Sequence, residues 1–123
     1  YMVSVFLAGS RKFFSEVEAV AVAFQAAGIL AETAGKPTEA DTPKSEREAL
    51  LRAFQLIDAA DAVYVVAPDG YVGRTVCMEI AYAYRARKPV YSSHQLEELS
   101  ARGLVERVAA PDDVAVMLTD RKA

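Results

Sequence analysis

One acid stands inside an otherwise apolar helical pattern. The segment DGYVGRTVCMEIAYAYRARKPVY, residues 69–91, opens on a glycine-spaced loop and runs into a helix that carries Glu79. A carboxylate at such a place suits attack on, or stabilisation of, an electron-deficient sugar carbon. Helical side chains lean toward the N-terminus of their helix, and the positive end of the helix dipole there favours an ionised acid. Gly70 and Gly73 let a ligand approach the backbone of the loop. The register supports a plainer reading as well. Glu79 shares a face with Thr75, Val76, Tyr82, Ala83 and Ala86, so Thr75, Glu79 and Tyr82 could form a narrow exposed stripe opposite an apolar face of Cys77, Ile80, Ala81 and Tyr84. Spacing alone leaves both readings open.

A second candidate is GSRK, residues 9–12, between a strand pattern and a helix pattern. Gly9 lets an anion come close to the backbone, the following N–H groups point outward, and Ser10 offers a hydroxyl. Arg11 and Lys12 add charge. The alternative is a tight turn with solvated basic residues. Cys77 is the only cysteine and His94 the only histidine, so neither a disulfide nor a cysteine or histidine metal cluster can form within the chain. Cys77 reads as a core thiol, and His94 as a loop residue within reach of a ligand. No metal and no cofactor is expected.

These residues must be positioned by short elements. MVSVFLA (2–8), ILAET (29–33), DAVYVVAP (61–68), KPVYSS (88–93) and LVERVAA (104–110) read as strands. Helices are expected between them: one with Phe14, Val17, Val20, Ala21 and Phe24 on its apolar face and a stop at Gly28, one capped by Ser45 with Glu48 completing a capping box, one from Thr75 to Arg87, a short one over QLEELSARG, and a last one entered at Pro111. The alternation predicts a single-domain α/β fold over residues 1–123. It would be a Rossmann-like or flavodoxin-like three-layer sandwich with a parallel sheet of about five strands.

In such sheets ligands bind at the carboxyl ends of the strands. That edge gathers Gly9, Ser10, Arg11 and Lys12 after the first strand, and Thr33, Gly35 and Lys36 after the second. Asp69, Gly70, Tyr71, Gly73, Arg74 and Thr75 follow the third strand, and Ser92, Ser93 and His94 the fourth. Asp58 and Asp61 precede the third strand and belong to the opposite edge.

Composition bounds the partners. With 123 residues, 53% of them hydrophobic and 25% charged, the chain has the profile of a soluble globular domain. The net charge of −3 argues against nucleic acid. No apolar run is long enough to span a membrane and no secretory pattern opens the chain, so a cytoplasmic location is expected. Tyr1 precedes Met2, and Met2 is the expected natural start.

The run IDAADAVYVVAPDGYVGRTVCMEIAYAYRARKPVY, taken with VFLAGS near the start, resembles the nucleoside 2-deoxyribosyltransferase-like superfamily. That group includes nucleoside deoxyribosyltransferases and nucleoside 5′-monophosphate N-glycosidases. The resemblance covers about a third of the chain. It implies a retaining mechanism with Glu79 as the nucleophile that forms a glycosyl-enzyme. The loop from Asp69 to Gly73 would lie beside the sugar, and Gly9, Ser10 and Arg11 would face the 5′ end or its phosphate. It also implies a small-molecule nucleoside or nucleotide substrate and a homodimer or larger homo-oligomer. The sequence departs from the transferase pattern in places. Phe6 stands where those enzymes carry a tyrosine, and the place of their base-handling acid falls near Ala53. In the loop only Asp69 is available as a second acid, and Asp69 or Tyr71 is left to protonate the leaving base. Two alternatives follow. One is a nucleotide-binding or sensor module without catalysis. The other is a lonely-guy-type phosphoribohydrolase, although DGYVGRTVCME lacks the double glycine of that family's loop.

Overall fold

The pleat of the first strand sets the layers. In β1 (Ser4–Gly9) successive side chains alternate between two buried faces. Phe6 and Ala8 pack with one group of helices, Val5 and Leu7 with another. The computed structural model describes residues 1–34 and 42–122. Besides β1 they form β2 (Leu30–Glu32), β3 (Ala62–Val66), β4 (Val90–Ser92) and β5 (Arg107–Val108). The helices are α1 (Phe14–Ala26), α2 (Pro43–Ala59), α3 (Arg74–Arg85), α4 (Leu99–Arg102) and α5 (Pro111–Lys122). Short 3-10 turns at Arg11–Phe13 and Pro68–Gly70 lead into α1 and toward α3.

All pairings are parallel, in the order β2-β1-β3-β4-β5. This is the flavodoxin-like order, which reverses direction between β1 and β3 and opens a crevice at their carboxyl ends. On one face Phe6, Val63 and Val65 meet Ala53 and Ile57 of α2, Val76, Ile80 and Ala83 of α3, and Ala101 of α4. On the other, Val5, Leu7, Tyr64 and Val66 meet Val17 and Phe24 of α1 and Val114, Ala115 and Leu118 of α5. The result is the three-layer α/β arrangement that the alternation predicts, and β3, apolar throughout, is its fully buried centre.

The helix ends carry the local instructions. After α1, Gly28 takes a left-handed φ of 80°, its N–H bonding Gln25 O at 3.0 Å while Ile29 N–H reaches Phe24 O at 2.9 Å. The start of α2 differs from the expected one. Thr42, not Ser45, is the N-cap, and its hydroxyl accepts the Ser45 N–H at 3.1 Å while the Ser45 hydroxyl accepts the Thr42 N–H at 3.1 Å. Pro43 fits the first helical position because the N–H it lacks would have no partner there. The helix therefore begins earlier and brings Glu46 into its first turn. Thr42→Ala is expected to lower stability by about 1 kcal/mol, read as a shift of the urea midpoint at unchanged slope.

Asp58 and Asp61 lie at the amino edge, as the topology requires. Asp61 accepts the Ser4 N–H at 2.9 Å and also bonds the Tyr1 hydroxyl. Asp58 accepts the Tyr82 hydroxyl at 2.8 Å, beneath a parallel stack of Tyr82 on Phe54 with ring centroids 4.0 Å apart.

Candidate active site

The crevice beside β1 holds a cavity of about 290 Å³, near the small end of the range for small-molecule sites. Phe6, Leu7, Gly9, Ser10 and Arg11 line it from β1 and the turn after it, and Thr33 and Ala34 from the end of β2. The first half of α2 supplies Glu46, Ala49, Leu50 and Arg52, and the first turns of α3 supply Gly73, Arg74, Thr75, Val76 and Glu79.

Glu79 is the buried acid of this cavity, with 7% of its surface exposed. The buried face of α3 is Val76, Glu79, Ile80 and Ala83, so Glu79 does not belong to an exposed stripe. The strip that does face outward holds Met78, Ala81 and Tyr84. The register placed Glu79 beside Val76 and Ala83; the packing of α3 on α2 and the sheet decided that this side faces in. Among the described residues no group donates a hydrogen bond to the Glu79 carboxylate. Among the described residues no fully buried side-chain oxygen is left without a partner. Burial pushes its carboxyl up from 4.5 to about 7. Loss of water thus acts against the helix dipole, which favours the ionised acid.

Cations surround the mouth. Arg11 is ion-paired with Glu46 across the gap between the first turn and α2. Arg74 and Arg52 carry no hydrogen bond or ion pair among the described residues.

The structure divides the sequence candidates. Gly9, Ser10, Arg11, Gly73, Arg74, Thr75 and Glu79 share the cavity; Asp69, Gly70 and Tyr71 do not line it. Asp69 is exposed at a φ of 58° in the turn after β3. Gly70 is buried at a φ of 81°, and a Cβ on it would lie 2.4 Å from the Gln95 carbonyl oxygen. Its bareness lets the loop pack on residues 95–97. Gly73 is unremarkable sterically, since the nearest atom to a Cβ there is the Tyr71 hydroxyl at 3.8 Å. Tyr71 packs edge-on against Phe13, and the Lys12 ammonium sits 3.6 Å from its ring centroid. Together they pin the loop to the first turn. Gly9 is tight for a packing reason too: a Cβ would meet Val17 Cγ2 at 2.8 Å.

His94 is exposed, with Nδ1 2.8 Å from the Ser93 hydroxyl, and is not among the residues lining the cavity. Cys77 is half-buried against the core, and burial, then Glu98, raises its thiol pKa. Gly35 and Lys36 lie outside the described residues. Sequence reasoning missed Glu46 and Arg52. A signal for Glu46 existed: positions 46, 49, 50, 53 and 57 continue one helical face, and Glu46 ends it on the ligand side.

The arrangement of elements recurs in solved structures. A conserved protein from Enterococcus faecalis V583 superposes with a TM-score of 0.71 at 17% identity, over 98% of this chain and 99% of that one. A 2-deoxyribosyltransferase from the psychrotolerant bacterium Bacillus psychrosaccharolyticus gives 0.66 at 17% identity, over 92% and 90% of the two chains. The chain has the 2-deoxyribosyltransferase fold. The Clostridium botulinum CMP N-glycosidase BcmB shares it, with a TM-score of 0.55 at 13% identity over 94% of this chain and 98% of that one. No family model and no curated protein matches the chain by sequence. At these identities the likeness concerns the 2-deoxyribosyltransferase fold alone, and the chemistry must be read from the side chains.

Proposed function

We propose that the protein cleaves, or exchanges the base of, the N-glycosidic bond of a nucleoside or nucleoside 5′-monophosphate, with Glu79 as nucleophile. The observation that carries this reading is a buried carboxylate with no hydrogen-bond partner among the described residues, facing a small cavity at the switch point of the sheet. The fold shared with a 2-deoxyribosyltransferase and a CMP N-glycosidase supports it. In the first step a Glu79 oxygen bonds the anomeric carbon, the carbon–nitrogen bond breaks with its electron pair leaving on the base, and the base takes up a proton. In the second, water or another base displaces the carboxylate and releases the sugar. The oxocarbenium-like transition state is cationic, and Glu79 stabilises it at short range. The guanidinium groups of Arg52 and Arg74 at the cavity favour a 5′-monophosphate over the free nucleoside.

The test is release of free base from a panel of ribo- and deoxyribonucleosides and their monophosphates, followed by chromatography. A folded protein inert toward the whole panel sinks the reading. Asp69→Asn is expected to keep the rate within about threefold, because its carboxylate lies outside the cavity lining; a loss on the scale of general-acid removal, about a hundredfold or more, would return Asp69 to the catalytic set.

One observation favours a second reading, a nucleotide-binding module. With its pKa near 7, Glu79 is protonated in a large fraction of molecules at neutral pH, and Asp69 is no acid of the cavity. A nucleotide that raises the melting temperature and stays intact for hours would decide for it. We also infer a cytoplasmic homo-oligomer that covers some of the apolar side chains left exposed on α2 and α3, Leu51 and Met78 among them; light scattering on the purified protein measures its mass.

A further inference from the structure

A second, wider groove of about 600 Å³ opens at the amino ends of β4 and β5, the end of the sheet opposite Glu79. Arg85, Arg87, Lys88 and Arg121 line it, against one acid, Glu106. That acid is already engaged, by Arg121 at 3.2 Å and by the Tyr91 hydroxyl at 3.2 Å. Arg85, Arg87 and Lys88 have no ion pair or hydrogen bond from their side chains among the described residues. This concentration of unspent cations occurs in a chain whose net charge is −3.

The backbone supplies a second, independent observation. α3 ends as α1 does. Arg87 N–H bonds Tyr84 O at 3.0 Å and Lys88 N–H bonds Ala83 O at 2.9 Å, around a residue at a φ of 62°. In α1 that position is Gly28; in α3 it is Arg87. A side chain there carries strain that glycine avoids. The turn itself would form more easily with glycine, so what the arginine adds is a side chain that lines the groove.

We propose that this groove is a second binding site, for an oligophosphate: a chain of two or more phosphates, free or carried by a nucleotide. Guanidinium groups match phosphate oxygens in paired hydrogen bonds, and several cations in one groove suit a linear polyanion better than a single phosphate. Tyr84, 60% exposed at the rim, offers a ring face to a base.

Calorimetric titration with tripolyphosphate, orthophosphate and a nucleoside triphosphate tests this. Saturable binding of tripolyphosphate at one site per chain is expected, weaker for orthophosphate and weakening steeply as salt is raised. Arg87→Gly should weaken it about tenfold or more while leaving the melting temperature unchanged or higher, an effect no purely structural role would produce. Lys88→Gln should weaken it too, and Glu79→Gln should not. A nucleoside triphosphate binding more tightly than tripolyphosphate identifies a nucleotide as the source; equal affinities identify the phosphate chain itself. Absence of saturable tripolyphosphate binding by the folded protein, or equal affinity in Arg87→Gly, overturns the proposal.

Discussion

Glu79→Gln is expected to abolish base release and, in the same protein, to raise the melting temperature. The activity loss follows from removing the nucleophile and should reach about three orders of magnitude or more. The gain in stability follows from burial. The Glu79 carboxyl titrates near 7 in the folded protein against 4.5 for an unperturbed glutamate. Below pH 4.5 it is protonated in both states and costs nothing. Between 4.5 and 7 the unfolded chain gives up the proton first, so folding weakens as pH rises. Above about 7 the full cost remains, about 3 kcal/mol from the linkage relation. Glutamine carries no charge and escapes it. The variant should therefore melt several degrees higher at pH 8 and converge with the parent near pH 4. Wild-type activity should climb through pH 7 as the carboxylate forms. A variant that melts no higher at pH 8 would mean that Glu79 is not desolvated as described.

Gly70→Ala is expected to lose most of the loop's order, at a cost of about 2–4 kcal/mol. Two penalties coincide: a φ of 81°, and a Cβ that would lie 2.4 Å from the Gln95 carbonyl oxygen, a backbone atom that cannot swing aside. Gly73→Ala is the control. Its φ is −82° and the nearest neighbour of a Cβ lies at 3.8 Å, so its cost should stay within about 1 kcal/mol. Thermal melts of the two variants separate these cases, and equal losses would contradict the loop geometry.

That contrast shows what a sequence can carry. DGYVG presents two glycines that look alike, and only the contact with residue 95 tells them apart. Local signals were readable: the continuous apolar run of β3, the stop at Gly28, and the proline entering α5 all depend on near neighbours. The ends of β2 and β5 were not. Each lies at an edge of the sheet and pairs on one side only, so fewer of its residues are fixed as strand than the apolar pattern covers. At the candidate site the strand-tip rule gathered Gly9 to Arg11 with Arg74, Thr75 and Glu79, because connectivity alone brings them to one edge. Glu46 and Arg52 enter from α2 by packing across that edge, and no local spacing relates them to Glu79. The depth of Glu79 also had to wait for the structure, since a helix with two nearly apolar sides does not say which one faces in.

α3 carries Glu79 in its early turns and delivers Arg87 just past its end, with no break between. A helix of this length is a stiff rod of about 18 Å. The two openings therefore share one structural element: the early turns of α3 line the cavity of Glu79, and the residues just past its end line the basic groove.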